Sequence, residues 1–201
     1  NPRRVRIFLA EKGIEISKIE VSIIEGENLK PEYLRVNARG LLPVLELADG
    51  THLDETVAIC RYLEETNPEP NLMGKNALEK AMIESWQRHM EFDGMTAVSE
   101  VVRNSIPAFS TRGLPGVTQP VAAIPALVER GTNSMKRFYE RLEQRLSESE
   151  YVGGNRFTIA DITALCAVDA AMNRANLPIP AGSTNTQRWH AAVSARPSAK
   201  A

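Results

Sequence analysis

Apolar residues in the first part of the chain recur at two different spacings. Val5, Phe8 and Leu9 follow the period of a helix, and Gly13 supplies the stop signal after them. From residue 19 to residue 23, apolar and polar side chains alternate, which is the two-residue period of a half-buried strand. The pattern therefore predicts a helix that ends at Gly13, followed by a strand over residues 19–23.

A hairpin and a helix are predicted next. Apolar runs at residues 44–47 and 51–53 flank the turn residues Asp49 and Gly50, and helical spacing returns over residues 55–65. We expect the given chain to lack a first strand, because one strand added in front completes a βαβ unit followed by ββα. This order predicts an α/β thioredoxin-like N-terminal domain, with a small mixed sheet covered by helices.

No strand signal follows residue 67. Helical spacing recurs over residues 77–103, 126–146, 158–175 and 187–195, while residues 105–125 are rich in Pro, Gly, Ser and Thr. This pattern predicts an all-α C-terminal helical bundle. We place the N-terminal domain at residues 1–67, a linker at residues 68–75 and the helical domain at residues 76–201.

Charge and cysteine content exclude several classes of function. The net charge is −1, so the chain has no electrostatic basis for binding nucleic acid or an anionic membrane. The two cysteines, Cys60 and Cys166, lie far apart in apolar helical patterns, which favours buried thiols and a reducing, cytoplasmic location. No two of the three histidines have the spacing of metal ligands, so we expect no metal.

Two short segments carry candidate binding chemistry. A proline at the start of a strand, as at Leu42-Pro43, suits an edge, and a cis bond there would leave the backbone groups before it free to pair with an extended ligand. Glu55-Thr56 at a helix start offers a carboxylate, a hydroxyl and backbone N–H groups beside the positive end of the helix dipole. Each segment alone has a structural explanation, but together they favour a site for a small peptide.

Two further patterns lie in the helical part. Thr158 and Asp161 have the spacing of a capping box, which indicates a role in folding. Ser99 and Arg103 lie four residues apart, so they share one face of the long predicted helix. That face is polar, and a solvated surface explains it as well as a binding site does.

Four motifs in combination resemble those of cytosolic glutathione S-transferases, and the resemblance covers nearly the whole chain. The matching segments are residues 37–45, 54–59, 157–161 and 195–198. Residues 3–13 and 86–88 are most similar to a bacterial and fungal subgroup whose yeast member is regarded as lacking the usual catalytic Tyr, Ser or Cys. In that subgroup, a water held by polar side chains on the first helix of the second domain does this work.

The resemblance implies a homodimer with glutathione as cosubstrate and a hydrophobic electrophile as the second substrate. By motif match, the Leu42 backbone would pair with the cysteinyl unit of glutathione, and Pro43 would be cis. Glu55 and Thr56 would bind the γ-glutamyl end. Leu41 stands where the family often has Gln or Lys, so that polar contact is lost.

The resemblance leaves the residue that activates the thiol open. The usual catalytic loop would lie before or at Asn1, which is the nearest polar residue. Ser99 matches the subgroup's water-holding serine, with Asp93 or His89 as its partner.

Transferase activity, with or without peroxidase activity, is the favoured function. A non-catalytic binding or assembly module of the same fold is the alternative, and a cysteine-type thiol transferase would need a Cys at the start of the first helix.

Overall fold

The computed structural model describes residues 1–201, and its first part contains three helices and one hairpin. The elements are α1 (Pro2–Lys12), α2 (Pro31–Leu34), β1 (Val44–Glu46), β2 (His52–Asp54) and α3 (Thr56–Thr66), with a 3₁₀ turn at Glu27–Leu29. Helix α1 begins with Pro2 in its first turn and ends at Gly13, whose φ of 66° is the left-handed conformation that commonly follows a helix. Ile7 and Phe8 are fully buried, and α1 packs against α3.

The sheet consists of one antiparallel pair. Strand β1 pairs with β2 in the register Val44↔Asp54, Leu45↔Leu53 and Glu46↔His52. The strand predicted over residues 19–23 does not form, and Ile19 is 89% exposed. A strand needs a neighbour for its backbone hydrogen bonds, and no other strand lies beside this segment. The prediction of a mixed sheet with a parallel pair is therefore wrong for the residues described.

The second part of the chain is helical, as predicted. It contains α4 (Ala77–His89), a π-helical segment (Met90–Met95), α5 (Thr96–Ser105), α6 (Pro125–Glu148), α7 (Ile159–Arg174) and α8 (Thr184–Ser194). Short 3₁₀ turns lie at Pro107–Phe109 and Pro197–Lys200. Residues 67–76 contain no helix or strand, and the proposed division at residues 68–75 stays a prediction.

Helices α5 and α6 pack closely because a glycine lies at their contact. A Cβ atom at Gly131 of α6 would lie 2.7 Å from the Ala97 carbonyl oxygen of α5. That distance is shorter than a van der Waals contact, so only glycine permits this approach. The contact fixes α5 as one wall of the cleft described below.

Helix α7 forms the centre of the molecule, and its first turn is held by one buried carboxylate. The Thr158 N–H donates to Asp161 Oδ2 at 3.0 Å, which is the side chain-to-backbone half of the predicted capping box. Asp161 Oδ1 also accepts from the Val152 N–H at 2.8 Å and from Trp189 Nε1 at 2.9 Å. Burial raises the pKa of the Asp161 carboxyl, and these donors oppose the rise.

The two parts share one core. Helix α1 contacts both α3 and α7, and a single hydrophobic cluster extends from α1 and α3 into the helical part. The lengths and compositions of the helices leave none that is able to cross a membrane.

Candidate functional site

A cleft of about 980 Å³ lies between α5 and the two segments that flank the hairpin, residues 40–42 and 55–56. Five of the six predicted site residues line it: Asn1, Leu42, Glu55, Thr56 and Ser99. Pro43 does not line the cleft, and its peptide bond with Leu42 is cis. The fold therefore brings Leu42, the start of α3 and Ser99 of the second part to one cavity.

The segment ahead of β1 presents unpaired backbone to this cleft. Neither the N–H nor the C=O of Leu42 has a backbone partner in the protein. The preceding carbonyl, that of Leu41, is fixed by the Tyr33 hydroxyl at 2.6 Å and by Asn37 Nδ2 at 3.0 Å. Burial and the nearby Asp54 raise the pKa of Tyr33 to about 12, so the hydroxyl keeps its proton as a donor. The Leu42 groups are thus positioned and available for an extended ligand.

Asn28 is a cleft residue that the sequence does not single out. Its side chain is almost completely buried, and its Nδ2 donates to the Gly40 carbonyl at 2.7 Å. Its Oδ1 is the one buried side-chain polar atom in the chain without a hydrogen-bond partner. Such orphan acceptors are rare in native structures, and this oxygen is shielded from solvent, so it is not itself presented to a ligand in the cleft. Asn28 lies in a polar stretch with no periodic pattern, so no sequence signal distinguishes it.

The start of α3 has an unusual backbone conformation. Glu55 has φ 64° and ψ 121°, and only one other non-glycine residue, Asn176, has a positive φ. Residues held in this region cost of order 1–3 kcal/mol and cluster at functional sites. Helix α3 has no side-chain cap, so the first-turn N–H groups near Thr56 are available to an anion.

The floor of the cleft is a charged network that joins α1 to the helical part. Arg4 is buried and donates to Glu91 Oε1 at 2.7 Å and to Thr163 Oγ1 at 3.0 Å. Arg88 donates to the other oxygen of Glu91 at 2.8 Å, and the Asn1 side chain accepts from Arg4 at 3.1 Å. The beginning of α1 is therefore tied to the π-helical segment directly below the cleft.

Ser99 lies on the cleft wall, but its predicted partners do not. Asp93 accepts from Arg141 of α6 at 2.7 Å, and the His89 ring lies 5.1 Å from that of Trp86. Both side chains line grooves beside α6 instead, so the prediction that one of them assists Ser99 is wrong. The π-helical segment lies between His89 and Ser99, and its wider turn departs from the 3.6-residue spacing of an α-helix.

The two thiols lie outside the cleft. Cys60 and Cys166 are buried and unpaired with each other, and burial raises the pKa of Cys60 to about 12. A thiol with such a pKa is not a nucleophile at neutral pH. These cysteines therefore give no support to a cysteine-type thiol transferase.

Sequence comparison assigns the chain to a family. It is 31% identical over 205 residues to Glutathione S-transferase 2 of Saccharomyces cerevisiae, an alignment that covers 99% of this chain and 83% of the yeast protein. The chain belongs to the glutathione S-transferase family. The family's N-terminal domain model matches residues 1–66, and its C-terminal domain model matches residues 113–197.

Solved glutathione S-transferase structures confirm the fold class. The crystal structure of Gtt2 from Saccharomyces cerevisiae superposes with a TM-score of 0.89 at 30% identity, covering 99% of this chain and 93% of that one. A class Gtt2 glutathione S-transferase of Vibrio parahaemolyticus superposes with a TM-score of 0.81 at 34% identity, covering 98% and 88%. The predicted resemblance to the bacterial and fungal subgroup is thus confirmed, together with the thioredoxin-like and all-α parts.

Proposed function

We propose that this glutathione S-transferase conjugates the thiolate of glutathione to hydrophobic electrophiles. The observation that carries the proposal is the presence, in the lining of one cleft, of the unpaired Leu42 backbone groups and the uncapped start of α3. An extended tripeptide needs this kind of wall, because its backbone pairs with a free strand edge and its carboxylate with a helix start.

Each predicted residue takes one role in this proposal. The Leu42 N–H and C=O pair with the cysteinyl unit, next to the cis bond of Pro43. The first turn of α3 at Thr56 binds the γ-glutamyl carboxylate, and the Glu55 carboxylate, which also pairs with Arg39, faces the amine. The thiol then lies toward Asn1 and Ser99, the two candidate activating residues on the far side of the cleft.

Activation of the thiol requires a donor that favours the charged form. A free thiol has a pKa of about 8.5, so only about 3% is thiolate at pH 7. A hydrogen bond from the Ser99 hydroxyl, directly or through a water, would stabilise the anion. The thiolate sulfur then attacks the electrophilic carbon, the leaving group departs with its electron pair, and the thiol proton has passed to solvent.

Replacing Ser99 by alanine should shift the pH profile of kcat/KM toward higher pH. Loss of one donor worth ~1.4 kcal/mol raises the thiol pKa by about one unit, because thiolate stabilisation is lost. Activity with glutathione and a chromogenic aryl halide should fall by about 5- to 10-fold at pH 7 and recover near pH 9.

Ser105→Ala is the matched control for this substitution. The Ser105 hydroxyl donates to the Val101 carbonyl at 2.7 Å within α5 and lies outside the cleft, so its loss should leave the profile in place. An unchanged profile for Ser99→Ala would remove Ser99 from the mechanism. Failure of the wild-type protein to turn over several aryl halides and peroxides would contradict the enzymatic proposal itself.

The alternative function is a non-catalytic binding module of the same fold. Leu41, which provides no polar side chain at the cleft, favours it. Passage through a column of immobilised glutathione without retention, together with no turnover, would support this alternative, whereas turnover excludes it.

Peroxidase activity, a cytoplasmic location and a homodimer stay part of the proposal. Exposed apolar side chains one turn apart on α4, Leu78 at 71% and Met82 at 51%, favour a surface that a second copy covers. Sedimentation equilibrium would distinguish a dimer from a monomer.

A further inference from the structure

Arg103 is a half-buried cation without a carboxylate partner on the wall of the cleft. Its guanidinium lies 4.3 Å from the centre of the buried Phe109 ring. It makes one long hydrogen bond, from Nη1 to the Arg112 carbonyl at 3.3 Å. A guanidinium carries five N–H donors, so most of its hydrogen-bonding capacity is unused.

A neighbouring arginine increases the excess of positive charge around Arg103. The Arg112 guanidinium lies 5.5 Å from the centre of the same Phe109 ring and donates to the carbonyls of Ile23, Ile24 and Ala108. Burial and Arg112 lower the pKa of Arg103, and no acidic group offsets them. An uncompensated positive charge in a partly desolvated position attracts an anion more strongly than an exposed one does.

The other cations of the cleft are paired or solvated. Arg4 and Arg88 share Glu91, and Arg130 pairs with Glu100. Arg174 lines the cleft but is exposed to water. Arg103 is thus the half-buried cation of the cleft that remains free to bind a ligand anion.

The cavity that Arg103 lines also has an apolar component. It includes Met95 of the π-helical segment, Val102 of α5, Phe109 and Leu114 of the loop after α5, and Leu127 of α6. A ligand that satisfies both features has an apolar body and one anionic end, because a planar guanidinium binds a carboxylate through two parallel hydrogen bonds.

We propose that the electrophile site of this cleft selects hydrophobic electrophiles that carry a carboxylate, and that Arg103 binds that carboxylate. The inference rests on the proposed transferase function. It identifies the second substrate as an acidic aromatic or unsaturated compound, and it assigns to Arg103 a specificity-determining role. Ser99, one turn before Arg103 on α5, would then lie between the carboxylate site and the thiolate.

A pair of matched substrates tests this proposal. 4-Chloro-3,5-dinitrobenzoate and its neutral carboxamide differ at one group remote from the reacting carbon. In both, the glutathione thiolate attacks the carbon that bears chlorine, the C–S bond forms, the C–Cl bond breaks and chloride leaves. Intrinsic reactivity cancels when the wild-type protein and a variant are compared on the same substrate.

Arg103→Met should lower kcat/KM for the benzoate by about 10- to 100-fold, which is the range expected for loss of a charge-assisted hydrogen-bonded pair. The carboxamide should change by less than about 2-fold, because methionine retains the apolar contact with Phe109. Arg103→Lys should retain part of the preference for the benzoate, and added salt should weaken that preference.

Arg137→Met is the matched control, since Arg137 is exposed on α6 outside the cleft and its side chain donates only to a serine hydroxyl. It should leave the kcat/KM of both substrates unchanged. Equal losses with benzoate and carboxamide in Arg103→Met, or no loss with either, would overturn the proposal. A rise in the KM for glutathione as large as the loss with benzoate would also overturn it, because Arg103 would then bind a carboxylate of glutathione.

Equilibrium binding separates this inference from the proposed function. Unreactive 3,5-dinitrobenzoate lacks the leaving group and reports on the site even if the protein turns over neither substrate. The wild-type protein should bind it at least about 10-fold more tightly than Arg103→Met does, and more tightly than it binds 3,5-dinitrobenzamide. Absence of binding, or equal affinities, would overturn the inference whatever the fate of the transferase proposal.

Discussion

Replacing Asp161 by alanine is expected to lower the free energy of unfolding by about 3–5 kcal/mol. The Asp161 side chain is completely buried at the start of α7 and accepts hydrogen bonds from three separate segments of the helical part. Its removal leaves the Val152 N–H, the Thr158 N–H and the Trp189 indole N–H without acceptors in the core. An unsatisfied buried donor costs about 1–3 kcal/mol, so the three together account for a loss of this size.

Urea unfolding followed by circular dichroism measures this loss. Glu140→Ala is the control, because Glu140 is an exposed acidic residue of α6 and its loss should change stability by less than about 0.5 kcal/mol. Asp161→Asn should give an intermediate loss, since the amide keeps one acceptor oxygen but turns an N–H₂ group toward donors. A loss below about 1 kcal/mol for Asp161→Ala would contradict the role assigned to this carboxylate.

Replacing Lys12 by methionine is expected to destabilise the protein by about 3–5 kcal/mol. Lys12 is the last residue of α1, and its ammonium group is inaccessible to solvent. It lies 2.5 Å from Glu64 Oε2 and donates to the carbonyls of Asn67 and Pro70 at 2.7 Å each. Methionine keeps the apolar stem but leaves the buried Glu64 without its cation, and that uncompensated charge dominates the cost.

A double-mutant cycle isolates the Lys12–Glu64 pair. Glu64 also accepts from the backbone N–H groups of Leu72 and Met73, so glutamine is the replacement that preserves an acceptor. Lys12→Met combined with Glu64→Gln should recover a large part of the stability lost by Lys12→Met alone, because no charge then remains buried. A coupling energy near zero would show that the two side chains act independently.

The sequence predicted those features that depend on local chemistry. Gly13, Asp49-Gly50 and the Thr158–Asp161 spacing define a helix end, a turn and a helix start through backbone geometry alone, and the structure has all three. The prediction of a strand over residues 19–23 is wrong. The alternation of apolar and polar residues shows that a segment can be half buried, but it does not show that a neighbouring strand exists.

Features of the site that depend on tertiary contacts were not predictable in the same way. The π-helical segment after His89 has no composition signal, yet it contains Asp93, whose carboxylate accepts from Arg141 of α6. Asn28 lacks a hydrogen-bond partner and Arg103 lacks a counter-ion because of the residues that the fold places around them, and the sequence does not show which residues those are. From the sequence, the face that carries Arg103 is equally consistent with an ordinary solvated helix.

We propose that glutathione binds at the start of α3, in the cleft between α5 and the segments that flank the hairpin. Calorimetric titration of glutathione into the wild-type protein and into Thr56→Val measures this binding. Thr51→Val is the control, because Thr51 is exposed in the hairpin and lies outside the cleft. We predict one glutathione per chain for the wild type and for Thr51→Val, and an affinity about 10- to 100-fold weaker for Thr56→Val, as expected for loss of a hydrogen bond to a charged group. No binding by the wild-type protein, or equal affinity in Thr56→Val, would contradict the claim.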